Sequence, residues 1–573
     1  MSESVDIVGV SAHNIAVAVG IKVFNGQGLH MSEHIVSYSF EYALSYLNHY
    51  YVVGIGDKKL SDIVENGELI IPSTYRGKSV VGIANGAFDG IFEYDYYDES
   101  SNQGYSNIII EEGIQSIGKR AFADCTGLRS IALPSTLTEI GEEAFRGSAI
   151  RSIVIPAGVS TLAEGTFYGC GRLESVELSD SISYISSSAF EKCVNLVSVK
   201  NTDKLLGIAN NAFNGCKKLE TFQFGESLKT IGDRAFSGCS SLAIIILPDS
   251  LTSLGKEAFS SCIGVKELHI GRGINEIPER AFNSLRSLEK LVIPDHITAI
   301  HRGAFDNLTK LKELTIPKSV TYFEYCFNST RNIESIYYEG TLEDWLSINF
   351  DSVGSSPLYY SSLAKLYLDG VVLEGDLVIP KGITVIPNRA FEGYAYITSI
   401  SFPHDMKYIG DAAFYGCQGL ESVKFEGDVD IFGSQIFYGC VNIASIDFGN
   451  KLSKIGFGMF SCCGNIERLV IPSSVKVIDF YCFSSCNIGE LILSEGIEEI
   501  RGSAFAYGSI PEIHLPSTIK YLGSVVFWRV DKVYYNGTME QWNEIERHHW
   551  YERYDEYYIH CIDGDIYVPP YYS

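Results

Sequence analysis

LESVELSDSISYISSSAFEKC, residues 173–193, is the stretch from which the rest of the chain can be read. Leu173, Val176 and Leu178 are apolar, and Glu177 between the last two gives the in–out–in alternation of a short, half-buried strand. A second apolar pair, Ile182 and Ile185, precedes Ala189-Phe190, and Cys193 follows three residues later. Phe, Cys and the next Leu are spaced by threes, as on one 3-10 or α turn; Phe122, Cys125 and Leu128 repeat the spacing. A single such turn has nothing to close its apolar side. It needs copies of itself.

The copies are present. The same Phe falls at Phe122, Phe145, Phe167, Phe190, Phe213, Phe236, Phe259, Phe282, Phe305 and Phe327, always 22 or 23 residues on. After a gap the series resumes at Phe391, Phe414, Phe437, Phe460, Phe483, Phe505 and Phe527, and Phe88 is an outlying first member. A fixed period of this length marks a stacked repeat array in which each turn covers its neighbours. Each Phe is then expected to lie on the one above and below, as the main apolar column. Parallel strands about 4.8 Å apart would line one face. Pro follows the strand in many turns (Pro134, Pro156, Pro248, Pro294 among them), where its missing N–H ends the ladder. An Ile-Gly or Leu-Gly corner recurs at Gly118, Gly141, Gly232, Gly255, Gly410 and Gly456, and is expected to use the positive φ that glycine permits.

The pattern LxxIxLPxSLxxIGxxAFxxCxxL, which residues 242–262 follow closely, resembles the BspA-like, Treponema pallidum-type leucine-rich repeats of bacterial and some protist surface proteins. The resemblance covers roughly residues 50 to 545 and departs from the commoner leucine-rich consensus in lacking an Asn ladder. It implies a leucine-rich-repeat solenoid, β-rich, with short parallel strands on one face and short 3-10 or α turns on the other. It also implies adhesion or protein binding on a concave strand face, at a cell surface or in a secreted protein.

The organisation expected from the sequence is two tandem arrays with hairpin and Trp caps. Residues 1–35 are unassigned; 36–90 are a capping hairpin and first repeat; 107–336 are array one; 337–375 are a capping module or linker; 376–532 are array two; 533–573 are a C-terminal capping module. Val36 to Tyr46 alternate like a strand, with Tyr51–Val53 as hairpin partner. FEYDYYDESSNQGYS (92–106) lengthens the first repeat step and reads as an acidic surface loop. The two modules match: IYYEGTLEDWLSI (336–348) and VYYNGTMEQWNEI (533–545) share Tyr-Tyr-x-Gly-Thr and a Trp, Trp345 and Trp542. Each leads to an Asp-Gly hairpin dipeptide, Asp369-Gly370 and Asp563-Gly564.

Totals narrow the function classes. At 573 residues the chain exceeds a single core, and 46% hydrophobic residues exclude global disorder. The formal charge of −26 makes phosphate backbones and anionic lipid surfaces poor partners. NIAVAVGI (14–21), the longest apolar stretch, is too short to span a bilayer and lacks the flanks of a secretory signal. A soluble monomer with an unidentified protein ligand, no cofactor and no enzymatic activity is expected.

Candidate chemistry is sparse. Ten of the 14 Cys follow a repeat Phe by three: Cys125, Cys170, Cys193, Cys216, Cys239, Cys262, Cys417, Cys440, Cys463 and Cys486. Leu285 and Leu308 occupy the same column, so these thiols read as small hydrophobes rather than disulfides or a metal ladder. His30-Met31-Ser32-Glu33-His34 matches a zinc-peptidase pattern, and His30 with His34 would make a zinc hydrolase, but only on a helix. The alternating residues that follow favour a strand. His548-His549 and His560 read as polar cap surface, and the Asn-x-Ser/Thr triplets at Asn307, Asn328 and Asn536 as chance. The outward strand positions run Ala132, Val154, Glu177, Lys200, Gln223, Ile246, His269, Val292, Thr315 and Tyr337. The last five, with Ile244 beside them, form a mainly apolar stripe and are the expected ligand-binding residues. In array two the row is Ser401, Lys424, Asp447, Val470, Ile492, His514 and Tyr534. The bland counter-reading is that β-branched residues simply favour strands; its functional form is a structural spacer.

Overall fold

The computed structural model describes residues 31–36, 41–45, 50–54, 68–91, 107–361, 363–527, 530–548 and 557–568. They fall into two units, Met1–Leu288 and Glu289–Ser573, and each is a stack of β turns.

In the first unit the outward-facing strands from Ser130–Ala132 onward are three residues long. Ser152–Val154, Ser175–Glu177 and Ser198–Lys200 pair in parallel, with Ile153, Val176 and Val199 in one buried column. Ile244–Ile246 and Glu267–His269 repeat the arrangement. Strands this short follow from the Leu-x-x-Val-x-Leu spacing, which supplies two inward side chains and one outward before Pro or a polar corner ends the ladder. A second parallel row, of two-residue strands, runs through Thr161–Leu162, Tyr184–Ile185, Gly207–Ile208, Thr230–Ile231 and Ser253–Leu254. The Ile pair expected only to lead into a corner therefore forms a sheet of its own.

The third side holds the Phe column. Rings from Phe88 to Phe282 stack at centroid distances of 5.0 to 5.8 Å with planes within 12°. All are fully buried. The backbone here makes isolated i→i−3 turns, such as Ala121 N–H to Gly118 O and Ala123 N–H to Arg120 O. These do not propagate into a helix, because Arg120 and Asp124 have φ of 54° and 53°. The intervening N–H groups point along the stack instead: Phe122 donates to Ala144 O, and Phe145 to Thr166 O.

The corner glycines act otherwise than expected. Gly141 and Gly255 do not have positive φ; a Cβ on Gly141 would lie 2.6 Å from the Lys119 nitrogen, and one on Gly255 2.3 Å from that of Asp233. They are glycine because successive turns touch backbone to backbone there, and the left-handed positions are taken by residues such as Arg120 and Glu257. The N-terminal region also differs from the single strand expected over 36–46. Met31–Val36 and Glu41–Ser45 are two strands that pair antiparallel, and residues 37–40 and 46 of the expected strand lie outside the described residues. Glu41–Ser45 then pairs antiparallel with Tyr50–Gly54, which joins Lys78–Ile83, Ser116–Ile117 and Glu139–Ile140 in a parallel sheet of its own.

In the second unit Lys290–Val292, Glu313–Pro317, Ser335–Glu339 and Lys365–Leu368 pair in parallel, closed by Val371–Val372 across the Asp369-Gly370 turn. Further parallel sheets follow, of Gly375–Val378, Ile397–Phe402, Ser422–Phe425 and Ser445–Asp447, then of Gly464–Ile471, Cys486–Leu493, Ile510–Leu515, Val530–Tyr535 and Tyr557–Cys561. The last is closed antiparallel by Gly564–Val568. Phe391 to Phe527 form a column like that of the first unit, at 5.1 to 5.9 Å.

The two matched sequence modules share a structure. Thr341 caps the helix Leu342–Trp345 in a capping box with Asp344, and Thr538 caps Met539–Glu544 in one with Gln541. In each Tyr-Tyr pair the second ring is buried edge-on against the Trp, Tyr338 on Trp345 at 5.2 Å and Tyr535 on Trp542 at 5.3 Å. The Trp345 indole N–H donates to Ala390 O, 2.9 Å away, and so ties the module to the turn carrying Phe391.

Candidate functional site

Strand alternation decides which side chains reach solvent. In the first unit Ile245 and Leu268 are buried, so Ile244, Ile246 and His269 point outward. Ile246 pairs across the ladder with His269. Ile244 and Ile246 are 46% and 57% exposed, which is unusual for isoleucine on a folded surface. The His269 ring nitrogen Nε2 lies 2.6 Å from Glu267 on its own strand.

In the second unit Val292, Thr315 and Tyr337 are in direct cross-strand register. The row continues to Tyr367, whose ring stacks on Tyr337 at 4.9 Å. Tyr367 falls outside the stripe that the period of 23 predicts, because the module insertion, residues 340–364, breaks that period. Alternation within LYLDG, with Leu366 inward, was the signal available. A similar row closes the chain: His514, Tyr534 and His560 are in register, with ring separations of 4.5 and 5.1 Å. The His560 Nδ1 lies 2.8 Å from Asp565.

Beside the Val292–Tyr367 row the turns before the strands open into a cleft of ≈ 580 Å³. Lys310, Lys312, Arg331 and Lys365 line it, with Glu289 and Glu334 as the carboxylates. No sequence motif marks it, since its cations lie on three different turns of a chain whose net charge is acidic.

All fourteen cysteines are free thiols, and twelve are buried. Their position has a reason beyond apolar packing. The Cys170 Sγ lies 2.9 Å from the carbonyl of Phe145, one turn back, and Cys125, Cys239 and Cys440 repeat the contact on Phe88, Phe213 and Phe414. The thiol thus adds a second bond to a buried carbonyl that already accepts one backbone N–H, as Phe145 O does from Ser148. Thr330 plays the same part on Phe305, at 3.0 Å. Burial pushes the Cys193, Cys239 and Cys417 thiols well above the ordinary range, so they are inert as nucleophiles.

The zinc reading loses its geometry. Met31–Val36 is a strand rather than a helix, and in a strand residues four apart lie roughly 13 Å from each other, too far to share a metal ion; His30 lies outside the described residues. His549 lies outside them as well, as does the acidic segment 92–106. Among the described residues no three His, Cys, Asp or Glu side chains gather as a metal site. Among those residues, too, no helix is long and apolar enough to cross a membrane.

Comparison with known proteins adds the family. No curated protein matches the chain. A leucine-rich cell surface protein from Faecalibacterium prausnitzii is 24% identical over 56% of this chain and 98% of its own, with a TM-score of 0.33. A leucine-rich repeat protein from Bacteroides ovatus is 19% identical over 91% and 100%, TM-score 0.33, and the T. pallidum leucine-rich repeat protein 23% over 41% and 91%, TM-score 0.29. The model of the BspA type leucine rich repeat region matches residues 96–220, 229–356, 374–489 and 453–553, more than half of the chain. With its 23-residue turns and Phe columns, the chain belongs to the BspA-type leucine-rich repeat family.

Proposed function

We propose that this repeat scaffold is a non-catalytic protein-binding or adhesion module that presents outward strand positions to a protein ligand at a cell surface. The observation that carries the reading is the in-register row Val292, Thr315, Tyr337 and Tyr367, an apolar and aromatic strip on rigid strands. Val292 is 48% exposed and Tyr337 37%. Exposed apolar surface is costly to maintain in isolation, and aromatic anchors on a fixed backbone are where interface energy concentrates. Ile244, Ile246 and His269 form a second, separate strip in the first unit. Adhesion and the surface location come from the family resemblance.

Replacing Val292 and Tyr337 with Asp tests the reading, since both point away from the core and the fold should persist. Immobilised wild type should retain a saturable partner from extracts of microbial and host surface proteins, and the double variant should lose it while keeping the same circular dichroism. Equal retention by both, or none by either, would favour a spacer.

A further inference from the structure

The cationic cleft of the second unit is out of keeping with a chain of net charge −26. Lys310, Lys312 and Arg331 are exposed and Lys365 half-buried. Lys312 pairs with Glu334 at 3.3 Å, and Lys365 with Glu374 at 3.1 Å. Lys310 and Arg331 make no ion pair among the described residues. Two free cations and two held only by solvent-exposed pairs are therefore available to an incoming anion, because such pairs contribute ~0–1 kcal/mol and exchange readily.

The cleft is shaped by its surroundings rather than by flexible side chains alone. The Asn332 side-chain N–H₂ donates to Thr309 O at 2.6 Å and joins the turns that form the floor. The Tyr396 hydroxyl donates to Leu363 O at 2.9 Å, and the Lys365 ammonium lies 5.5 Å from the Tyr396 ring centroid. Leu363 is 76% exposed and sets an apolar contact among the cations. Lys365 and Tyr367 lie two residues apart on one strand and so share its outward side, which makes the cleft continuous with the Tyr337–Tyr367 row.

We propose that this cleft binds an acidic peptide segment of a protein partner, its carboxylates on Lys310, Lys312, Arg331 and Lys365 and its neighbouring apolar side chains on Leu363 and the Tyr337–Tyr367 row. The inference rests on the protein-binding reading above and specifies the chemistry of the ligand. Charge complementarity selects the carboxylates, and the fork of Arg331 takes one bidentately. The apolar contacts and the adjoining aromatic row favour a peptide, which carries apolar side chains, over a sulfated glycan, which does not. The overall negative charge limits binding to a short acidic run, since a long polyanion meets repulsion beyond the cleft.

The probe is a fluorescein-labelled peptide of alternating Glu with Leu and Tyr, followed by anisotropy against the full chain. Saturable binding is expected, weakening as salt rises from about 50 to about 300 mM. The Lys310→Glu/Arg331→Glu variant should bind at least about tenfold more weakly, while Lys381→Glu/Lys407→Glu, with the same change in net charge, should bind like wild type. No saturable binding, equal loss in both variants, or tight binding of a sulfated hexasaccharide with none of the peptide would overturn the proposal. Loss of surface-protein capture in the Val292/Tyr337 variant alongside a failed peptide assay would reject the cleft only. Unchanged capture alongside peptide binding lost on Lys310→Glu/Arg331→Glu would reject the strip and keep the cleft.

Discussion

Phe236→Ala removes one ring from the middle of a continuous column. The side chain is fully buried, sandwiched between Phe213 at 5.0 Å and Phe259 at 5.2 Å, with Phe222 and Phe224 edge-on at 4.9 and 5.3 Å. Truncating a buried Phe costs ~3–5 kcal/mol, and each well-placed aromatic pair is worth ~0.5–1.5 kcal/mol beyond area burial. The cavity has little scope to collapse, because the adjoining turns are pinned by Phe213 N–H to Ala235 O and Phe236 N–H to Ala258 O. The loss should therefore sit near the top of the range, about 5 kcal/mol. Ile246→Ala, at a side chain 57% exposed, is the matched control and should stay within about 0.5 kcal/mol. Urea unfolding followed by far-ultraviolet circular dichroism reads both. Repeat arrays can unfold in part, so a split or broadened transition in Phe236→Ala is an expected form of the same loss. A midpoint no lower than that of Ile246→Ala, with an unchanged slope, would refute the stacked-column argument.

Other expectations follow from buried groups. A thiol reagent should titrate two cysteines in the native protein, Cys462 and Cys561, and all fourteen in urea; rapid labelling of more than two would contradict the burial. Glu392 is buried in the second unit, and burial pushes its carboxyl from the ordinary 4.5 up to about 7, against the pull of the Gly354 N–H and Arg389. The folded state thus favours the protonated form. The stability this supplies is complete below about pH 4.5 and is lost as pH rises to about 7, after which it is flat. The whole span is at most about 3 kcal/mol. Glu392→Gln, neutral throughout, should match wild type near pH 4.5 and exceed it near pH 8; parallel urea midpoints over that range would exclude the assignment.

The repeat itself was legible because stacking imposes one chemistry at one recurring position: Phe190 and its equivalents share a column only if each turn returns to the same place, which most do in 22 or 23 residues. What stayed hidden lies between turns. Gly255 reads in sequence like a positive-φ corner, and only the stacked backbones reveal a close approach. Cys170 reads as a hydrophobe, and only the neighbouring turn reveals the carbonyl its thiol serves. The helices at Leu342–Trp345 and Met539–Glu544 were within reach, since Thr341 with Asp344 and Thr538 with Gln541 are capping-box pairs, but four to six residues give no helical period to notice. The outward stripe was legible up to Tyr337 and lost where the insertion shifted Tyr367 out of step. The cleft was illegible for a different reason: its four cations come from three turns and mean nothing until those turns are neighbours.

Amide hydrogen exchange read by mass spectrometry tests the stacked turns most directly, because most of the repeat Phe residues donate their N–H to the turn ahead. Phe122 bonds to Ala144 O, Phe190 to Ala212 O, Phe414 to Ile436 O and Phe483 to Ala504 O, at 2.7 to 2.9 Å. Peptides containing these residues should exchange slowly, with protection recurring every 22 or 23 residues within each unit. Phe-bearing peptides that exchange as fast as unprotected exposed corners would contradict the fold and every surface argued from it.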